Sequence, residues 1–300
     1  MAAIRLERLS KYYGKARGVV EVDLEVQTGE VFGFLGPNGA GKTTTIRALL
    51  DLIRPSSGKA TVLGLDSVAD SLEIRKRVGY LPGELALWEW MTARQVLDHL
   101  ANLRGGVDQA YREQLTERFE VEIDRKVSDL STGNKQKIGL VQAFMHKPEL
   151  IVLDEPTSGL DPLMQQVTYE VIDEAQRDGR TVFLSSHVLP EVERIAHRVA
   201  IIRKGRVIEV ATVDSLKERA IRLVELRFGW PVPDPAQLAA IAGVTEASVS
   251  GSVATVRVEG SMDPLVKALA GYETLLIRTH DTPLEEIFLQ LYRNGADDEG

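Results

Sequence analysis

Gly36-Pro37-Asn38-Gly39-Ala40-Gly41-Lys42-Thr43 fits the spacing G-x-x-x-x-G-K-[ST]. Glycines at those positions let backbone N–H groups close around phosphate oxygens, and a helix starting there adds its dipole. Lys42 supplies a point charge for β- and γ-phosphates, and Thr43 a hydroxyl for Mg²⁺. A second chemical unit is Leu150-Ile151-Val152-Leu153-Asp154-Glu155, an apolar run ending in two carboxylates. Asp154 can hold the shell of a metal ion, and Glu155 can orient and deprotonate a water molecule. Phosphoryl transfer asks for that pair, because it needs charge neutralisation and a placed nucleophile more than covalent chemistry.

Such groups must be carried on rigid elements. Residues 31–35 form a short apolar run that ends at the glycine loop, and 43–53 can form the helix after it. Further runs lie at 150–153, 181–185 and 199–203, separated by amphipathic stretches. Short apolar runs alternating with helical segments predict an α/β sheet of buried parallel strands with helices packed on it. Near residue 220 the pattern changes to polar–apolar alternation, as in Val224, Leu226 and Phe228. Asp234-Pro235-Ala236-Gln237 reads as a capping box, Asp263-Pro264 opens a short helix, and Thr282-Pro283-Leu284-Glu285 is another capping box. The last leads a helix with Leu284, Ile287, Phe288, Leu291 and Tyr292 on one face. The order β-α-β-β-α-β plus a final helix predicts a small α+β ferredoxin-like domain at 221–300, after a first domain at 1–220.

Composition narrows the class. With 36 Lys and Arg against 44 Asp and Glu, the net charge is −8, which argues against a nucleic-acid partner. There are no cysteines, so disulfides and thiolate metal sites are excluded. No run approaches 18 apolar residues and the first ten are not a signal peptide, so the expectation is a soluble cytoplasmic protein. Asn134-Lys135-Gln136-Lys137 partly matches the guanine-reading Asn-Lys-x-Asp, but Lys137 stands where the aspartate is needed.

With these residues in hand, the chain resembles the ATP-binding-cassette (ABC) ATPase family. Leu130-Ser131-Thr132-Gly133-Asn134 stands where the family has its signature loop, and Ser158-Gly159-Leu160-Asp161 where it has its D-loop. His187, after the run 181–185, matches the switch histidine; Tyr13 matches the ring that stacks on adenine, with Tyr12 the alternative. The resemblance covers 1 to about 220 and implies a P-loop NTPase core with a helical subdomain near 85–145. It implies ATP and Mg²⁺ as cofactors, with Thr43 and Asp154 on the metal and Lys42, Glu155 and His187 catalytic. It places Tyr13, Gly36, Asn38, Gly39, Ala40, Gly41, Lys42, Thr43 and Thr44 around the nucleotide. Ser131 and Gly133 would belong to the facing subunit of an ATP-sandwich dimer, and Asp161 joins the nucleotide-binding set. The family's ATPases act peripherally on the cytoplasmic membrane face through a separate transmembrane permease. Pro283-Leu284-Glu285-Glu286-Ile287-Phe288 resembles the end of bacterial exporter ATPases that serve drug or antibiotic efflux.

The signature departs from the commonest pattern, with Thr132 for Gly and Asn134 for Gln. The loop after Pro82 departs further, because the family usually has glutamine where this chain has Gly83. Glu84 is the nearest carboxylate that can reach inward, but a carboxylate cannot donate as an amide does. Residues 83–91 include Leu85, Leu87, Trp88, Trp90 and Met91, an apolar set that in the family receives a helix of the membrane subunit. Core packing in the helical subdomain is the other reading of the two tryptophans. His99, His146, His197 and His280 lack a chemical context and read as structural. The rival function is a non-transport ABC ATPase acting as a switch on ribosomes or DNA. A single cassette without an inserted coiled coil argues against it.

Overall fold

Twelve-residue strands that the alternation rule does not reveal open the chain: β1 (Ala2–Tyr13) and β2 (Ala16–Gln27) pair antiparallel. Their register shifts several times along the ladder, and Arg8 and Glu21 take left-handed backbone, which breaks the period of two. The structure is a computed structural model and describes residues 1–218 and 221–280. It divides into two units, Met1–Val210 and Ala211–Gly300.

The first unit continues with β3 (Val31–Leu35), α1 (Lys42–Leu49), β4 (Ser57–Val62), β5 (Leu65–Asp66), α2 (Ser71–Arg77) and β6 (Val78–Leu81). Then come α3 (Ala93–Leu103), α4 (Gln109–Arg118), α5 (Thr132–Phe144), β7 (Leu150–Asp154), α6 (Pro162–Arg177), β8 (Thr181–Ser186), α7 (Leu189–Ile195), β9 (Arg198–Arg203) and β10 (Arg206–Thr212). The three helices α3–α5 occupy the range expected of the helical subdomain. One sheet has the order β2-β1-β4-β5, the other β10-β9-β3-β8-β7-β6. In the second, β9, β3, β8, β7 and β6 run parallel, so the four apolar runs read from the sequence are its centre. Every residue of β3, β7 and β8 is buried, which explains their apolar runs; the polar ends, Asp154 of β7 and Ser185 of β8, hydrogen-bond each other.

α1 touches β2, β4 and β7, and its Ile46 and Leu49 join one core with Ile4, Val62, Phe34, Val152 and Phe183. Phe32 and Phe183 stack across the β3–β8 pair, centroids 6.0 Å apart. Removing such a fully buried ring costs about 3–5 kcal/mol. This core fixes the direction in which the loops after β3, β7 and β8 emerge.

The second unit holds α8 (Val213–Glu218), β11 (Ile221–Phe228), α9 (Pro235–Ala239), β12 (Val244–Ser250), β13 (Val253–Glu259), α10 (Asp263–Leu269) and β14 (Thr274–His280). Its antiparallel sheet runs β12-β13-β11-β14, the ferredoxin-like strand order. The Asp234–Gln237 capping box forms with both arms. Leu226, Phe228, Leu238, Val256 and Leu265 make its core. The units divide between Val210 and Ala211, upstream of the expected 220. The expected boundary marked the start of strand alternation, and the six-residue helix α8 carries no such signal. The predicted helix from Thr282, with the exporter-like stretch 283–288, lies outside the described residues.

Candidate functional site

In the parallel sheet β3, β8, β7 and β6 are consecutive neighbours. The glycine loop leaves β3, the His187 loop leaves β8, Glu155 follows β7 and Gly83 follows β6. All four therefore meet at the carboxyl ends of the strands, where open α/β sheets bind ligands.

The glycine loop is shaped by contact as much as by flexibility. A Cβ at Gly36 would lie 2.4 Å from the Ile202 carbonyl oxygen, so no side chain fits there. Gly41 is the N-cap of α1 in left-handed backbone (φ 113°), and no side chain caps that helix. Its first N–H groups are thus left to an anion. Lys42 is 5% exposed, and its ammonium donates to the carbonyls of Gly36 (2.6 Å) and Pro37 (3.2 Å). The same Nζ stands 3.3 Å from Glu155 Oε1. Glu155 Oε2 is 2.8 Å from His187 Nδ1. One carboxylate therefore links Lys42 of the glycine loop to His187.

Glu155 is held in left-handed backbone (φ 54°), a conformation that costs a non-glycine residue about 1–3 kcal/mol. Its surroundings impose that conformation. The Glu155 N–H donates to Ser185 O (3.1 Å) and Ser185 Oγ (3.2 Å), and buried Gln136 donates to the carbonyls of Glu155 (3.2 Å) and Pro156 (3.1 Å). Parallel pairing sets Asp154 beside Ser185, whose hydroxyl donates to Asp154 Oδ1 at 2.5 Å. The other oxygen, Asp154 Oδ2, is buried without a hydrogen-bond partner. Burial first, and then the nearby Asp154, push the Tyr80 phenol on β6 up to about 12. The His187 loop is tied by Glu191, which accepts from Thr157 Oγ1 (2.5 Å) and Ser186 Oγ (3.0 Å).

Tyr13, Arg17, Gly18, Asn38, Gly39, Gly41, Lys42, Thr43, Thr44 and Glu155 line a cleft of about 260 Å³. Tyr13 rather than Tyr12 reaches it, while Tyr12 faces a different surface groove. The Tyr13 ring is half exposed, with Lys11 Nζ 5.4 Å from its centroid. Gly36 and Ala40 shape the loop from behind; both are buried.

Ser131, Gly133 and Asp161 do not line this cleft. Within the chain each has a local role. Ser131 caps α5 through the Asn134 N–H (3.2 Å), and Asp161 caps α6 through the N–H groups of Leu163 and Met164 (both 3.0 Å). A Cβ at Gly133 would lie 2.5 Å from the Gly159 carbonyl oxygen, so the signature loop rests directly on the D-loop backbone. Trp90 is 70% exposed, which is not core packing, and Trp88 is 39% exposed with its ring edge-on to His99.

The ABC transporter family model matches residues 19–158. The bacitracin transport ATP-binding protein BcrA of Bacillus licheniformis is 36% identical over 228 residues, 75% of this chain and 74% of that protein. This chain belongs to the ABC transporter ATP-binding proteins. The daunorubicin resistance ATP-binding protein DrrA3 of Streptomyces coeruleorubidus is 34% identical over 302 residues, covering 96% of this ABC ATPase and 95% of that relative. A solved ATP-binding subunit of an ABC transporter superposes with a TM-score of 0.66 at 30% identity, covering 72% of this chain and 92% of that one. As a member of the family the protein is an ATP-binding ATPase. Among the described residues no helix is long and apolar enough to cross a membrane.

Sequence reasoning missed Gln136, Ser185 and Glu191. Their signal is spatial: Ser185 acts only because β7 and β8 pair, and Gln136 only because α5 delivers it to the turn after β7.

Proposed function

We propose that the chain is the ATP-hydrolysing subunit of an exporter for a drug, antibiotic or other hydrophobic compound, acting on a separate transmembrane permease. The observation that carries the hydrolytic half is the Lys42–Glu155–His187 chain of contacts at 3.3 and 2.8 Å. The similarity to a daunorubicin resistance protein across nearly the whole chain supports export. The protein's location would then be peripheral, at the membrane face where the permease presents its loops.

In this reading the first N–H groups of α1 and the Lys42 ammonium bind the β- and γ-phosphates. Binding draws Lys42 away from Glu155, so the carboxylate is released towards the water that attacks the γ-phosphate. Glu155 takes a proton from that water, and His187 holds the carboxylate and the γ-phosphate oxygens in place. Tyr13 stacks on the base.

A divalent ion fits the residues present, because the Asp154 Oδ2 atom is buried without a partner and a carboxylate oxygen is a hard donor. Thr43 and Asp154 would hold Mg²⁺, which supplies charge neutralisation on the phosphates. Ser131, Gly133 and Asp161 would complete the site from a second copy of the chain, making ATP the bond between two subunits. Partly exposed Trp88 and Trp90 would anchor the permease, since aromatic residues at interface centres carry much of the binding energy.

The test mixes two inactive variants. Ser131→Arg disables the trans half and Lys42→Ala the cis half, so a mixed dimer keeps one undamaged site. ATPase activity above that of either variant alone supports the shared site. A mixture with no gain, in which the Lys42-bearing sites remain empty of nucleotide, contradicts it. Trp88→Ala and Trp90→Ala should weaken capture of the permease while the isolated subunit keeps its melting temperature; a lowered melting temperature with normal capture argues against the anchor role.

A further inference from the structure

The turns that carry Glu155 and His187 are tied together at a second point, behind the contact between the two side chains. Thr157 follows Glu155 by two residues, and Ser186 directly precedes His187. Both are buried, and both hydroxyls donate to one carboxylate, that of Glu191 on α7. Thr157 Oγ1 reaches Oε1 and Ser186 Oγ reaches Oε2, so each carboxylate oxygen holds one turn. A glutamate at the third position of a helix commonly reaches back to the N-cap N–H. Here the N-cap is Val188, and its N–H goes to Ser186 Oγ at 2.9 Å, which leaves Glu191 free to bridge. The Ser186 carbonyl in turn accepts from the Gly36 N–H (3.2 Å), which joins the glycine loop to the same tie.

We propose that Glu191 is a positioning residue for ATP hydrolysis. It sets the spacing of Glu155 and His187 from behind, and so fixes the carboxylate that faces the attacking water. The inference rests on the reading that Glu155 is the base and His187 its support. Gln136 grips the Glu155 turn alone, through two main-chain carbonyls, whereas Glu191 holds both turns at once. Glu191, Thr157 and Ser186 do not line the cleft on the glycine loop. Their loss therefore falls on turnover and spares nucleotide affinity.

The experiment measures kcat, KM and ADP affinity for the full chain and its variants. Glu191→Ala should lower kcat by about 10²-fold, the effect of a misplaced reacting group, with KM and ADP affinity unchanged. Glu191→Gln keeps one acceptor oxygen and should recover part of that loss. Thr157→Val cuts one arm while preserving side-chain shape, and it should lower kcat by a smaller factor. The deciding readout is a second background. Placed in His187→Ala, Glu191→Ala should cause no further loss, because the pair whose spacing it sets is already broken. An equal loss in that background overturns the proposal, and so does a raised KM with kcat unchanged. A normal kcat in Glu191→Ala overturns it too, or in Thr157→Val where Glu191→Ala does not fold. Normal hydrolysis by Glu155→Gln overturns the general-base reading itself, a result read from a different variant.

Discussion

The two ends of the nucleotide cleft are built differently. At the phosphate end, Lys42 is 5% and Asp154 1% exposed; Lys42 is held by carbonyls of its own glycine loop and Asp154 by Ser185 of the paired strand β8. At the base end, Tyr13 closes the β1–β2 hairpin half exposed, with a cation–π contact to Lys11. Rigid placement is where charge must be stabilised in the transition state. A stacking ring needs only a face, which every base offers. On the proposed reading, chemistry belongs to the sheet end, and the hairpin end contributes affinity without turnover.

The largest effect expected from that contrast is on Glu155. Glu155→Gln should lower steady-state turnover by about 10²–10⁴-fold, the range for a lost general base, while ATP still binds. Acid provides the next test of the sheet end. His146 is bonded to the Val78 carbonyl at the start of β6, and burial first and Arg104 second lower its pKa to about 4. A base depressed in the fold contributes stability that is complete above its unfolded pKa and is lost as pH falls. Here the window runs from about 6.5 down to about 4, and the loss is roughly 2–4 kcal/mol of unfolding free energy. Denaturant midpoints across that window should fall for the unaltered chain and fall less for His146→Gln.

At the base end, Tyr13→Ala should weaken nucleotide binding by about 5–150-fold, from a stacking contribution of 1–3 kcal/mol, with kcat nearly unchanged. Tyr12→Ala should leave binding as it was, since Tyr12 does not line the cleft. Equilibrium dialysis with ADP separates the two rings. Last comes Gln136, which supports Glu155 through main-chain carbonyls only. Gln136→Leu should cost about 1–3 kcal/mol of stability, the loss of two hydrogen bonds to main-chain carbonyls, read from its denaturant midpoint. It should lower kcat more than it raises KM.

Much of the sheet end was legible because its motifs are local. The glycine loop sits between β3 and α1, and the carboxylates end β7, so each is a strand followed by a turn in contiguous residues. The hairpin end was readable only through family resemblance, which named Tyr13. The bulges at Arg8 and Glu21 hide β1 and β2 from a period-two reading. The supports of Asp154 and Glu155 were not legible at all. Ser185 lies 31 residues from Asp154 along the chain and meets it only through the β7–β8 register. Gly83 read as a departure from the family's glutamine, and only the structure shows that it faces Asp154, whose Oδ2 would lie 3.1 Å from a Cβ there. A sequence records which side chain is present, but the space around it is decided by the neighbours the fold supplies.

The most direct measurement takes Glu155→Gln and Tyr13→Ala from parallel preparations and determines kcat and nucleotide Kd for each. Glu155→Gln should retain a near-normal Kd for ATP and lose turnover, and Tyr13→Ala should do the reverse. Near-normal ATP hydrolysis by Glu155→Gln, or a collapse of kcat in Tyr13→Ala at saturating ATP, would contradict the division of labour between the two ends.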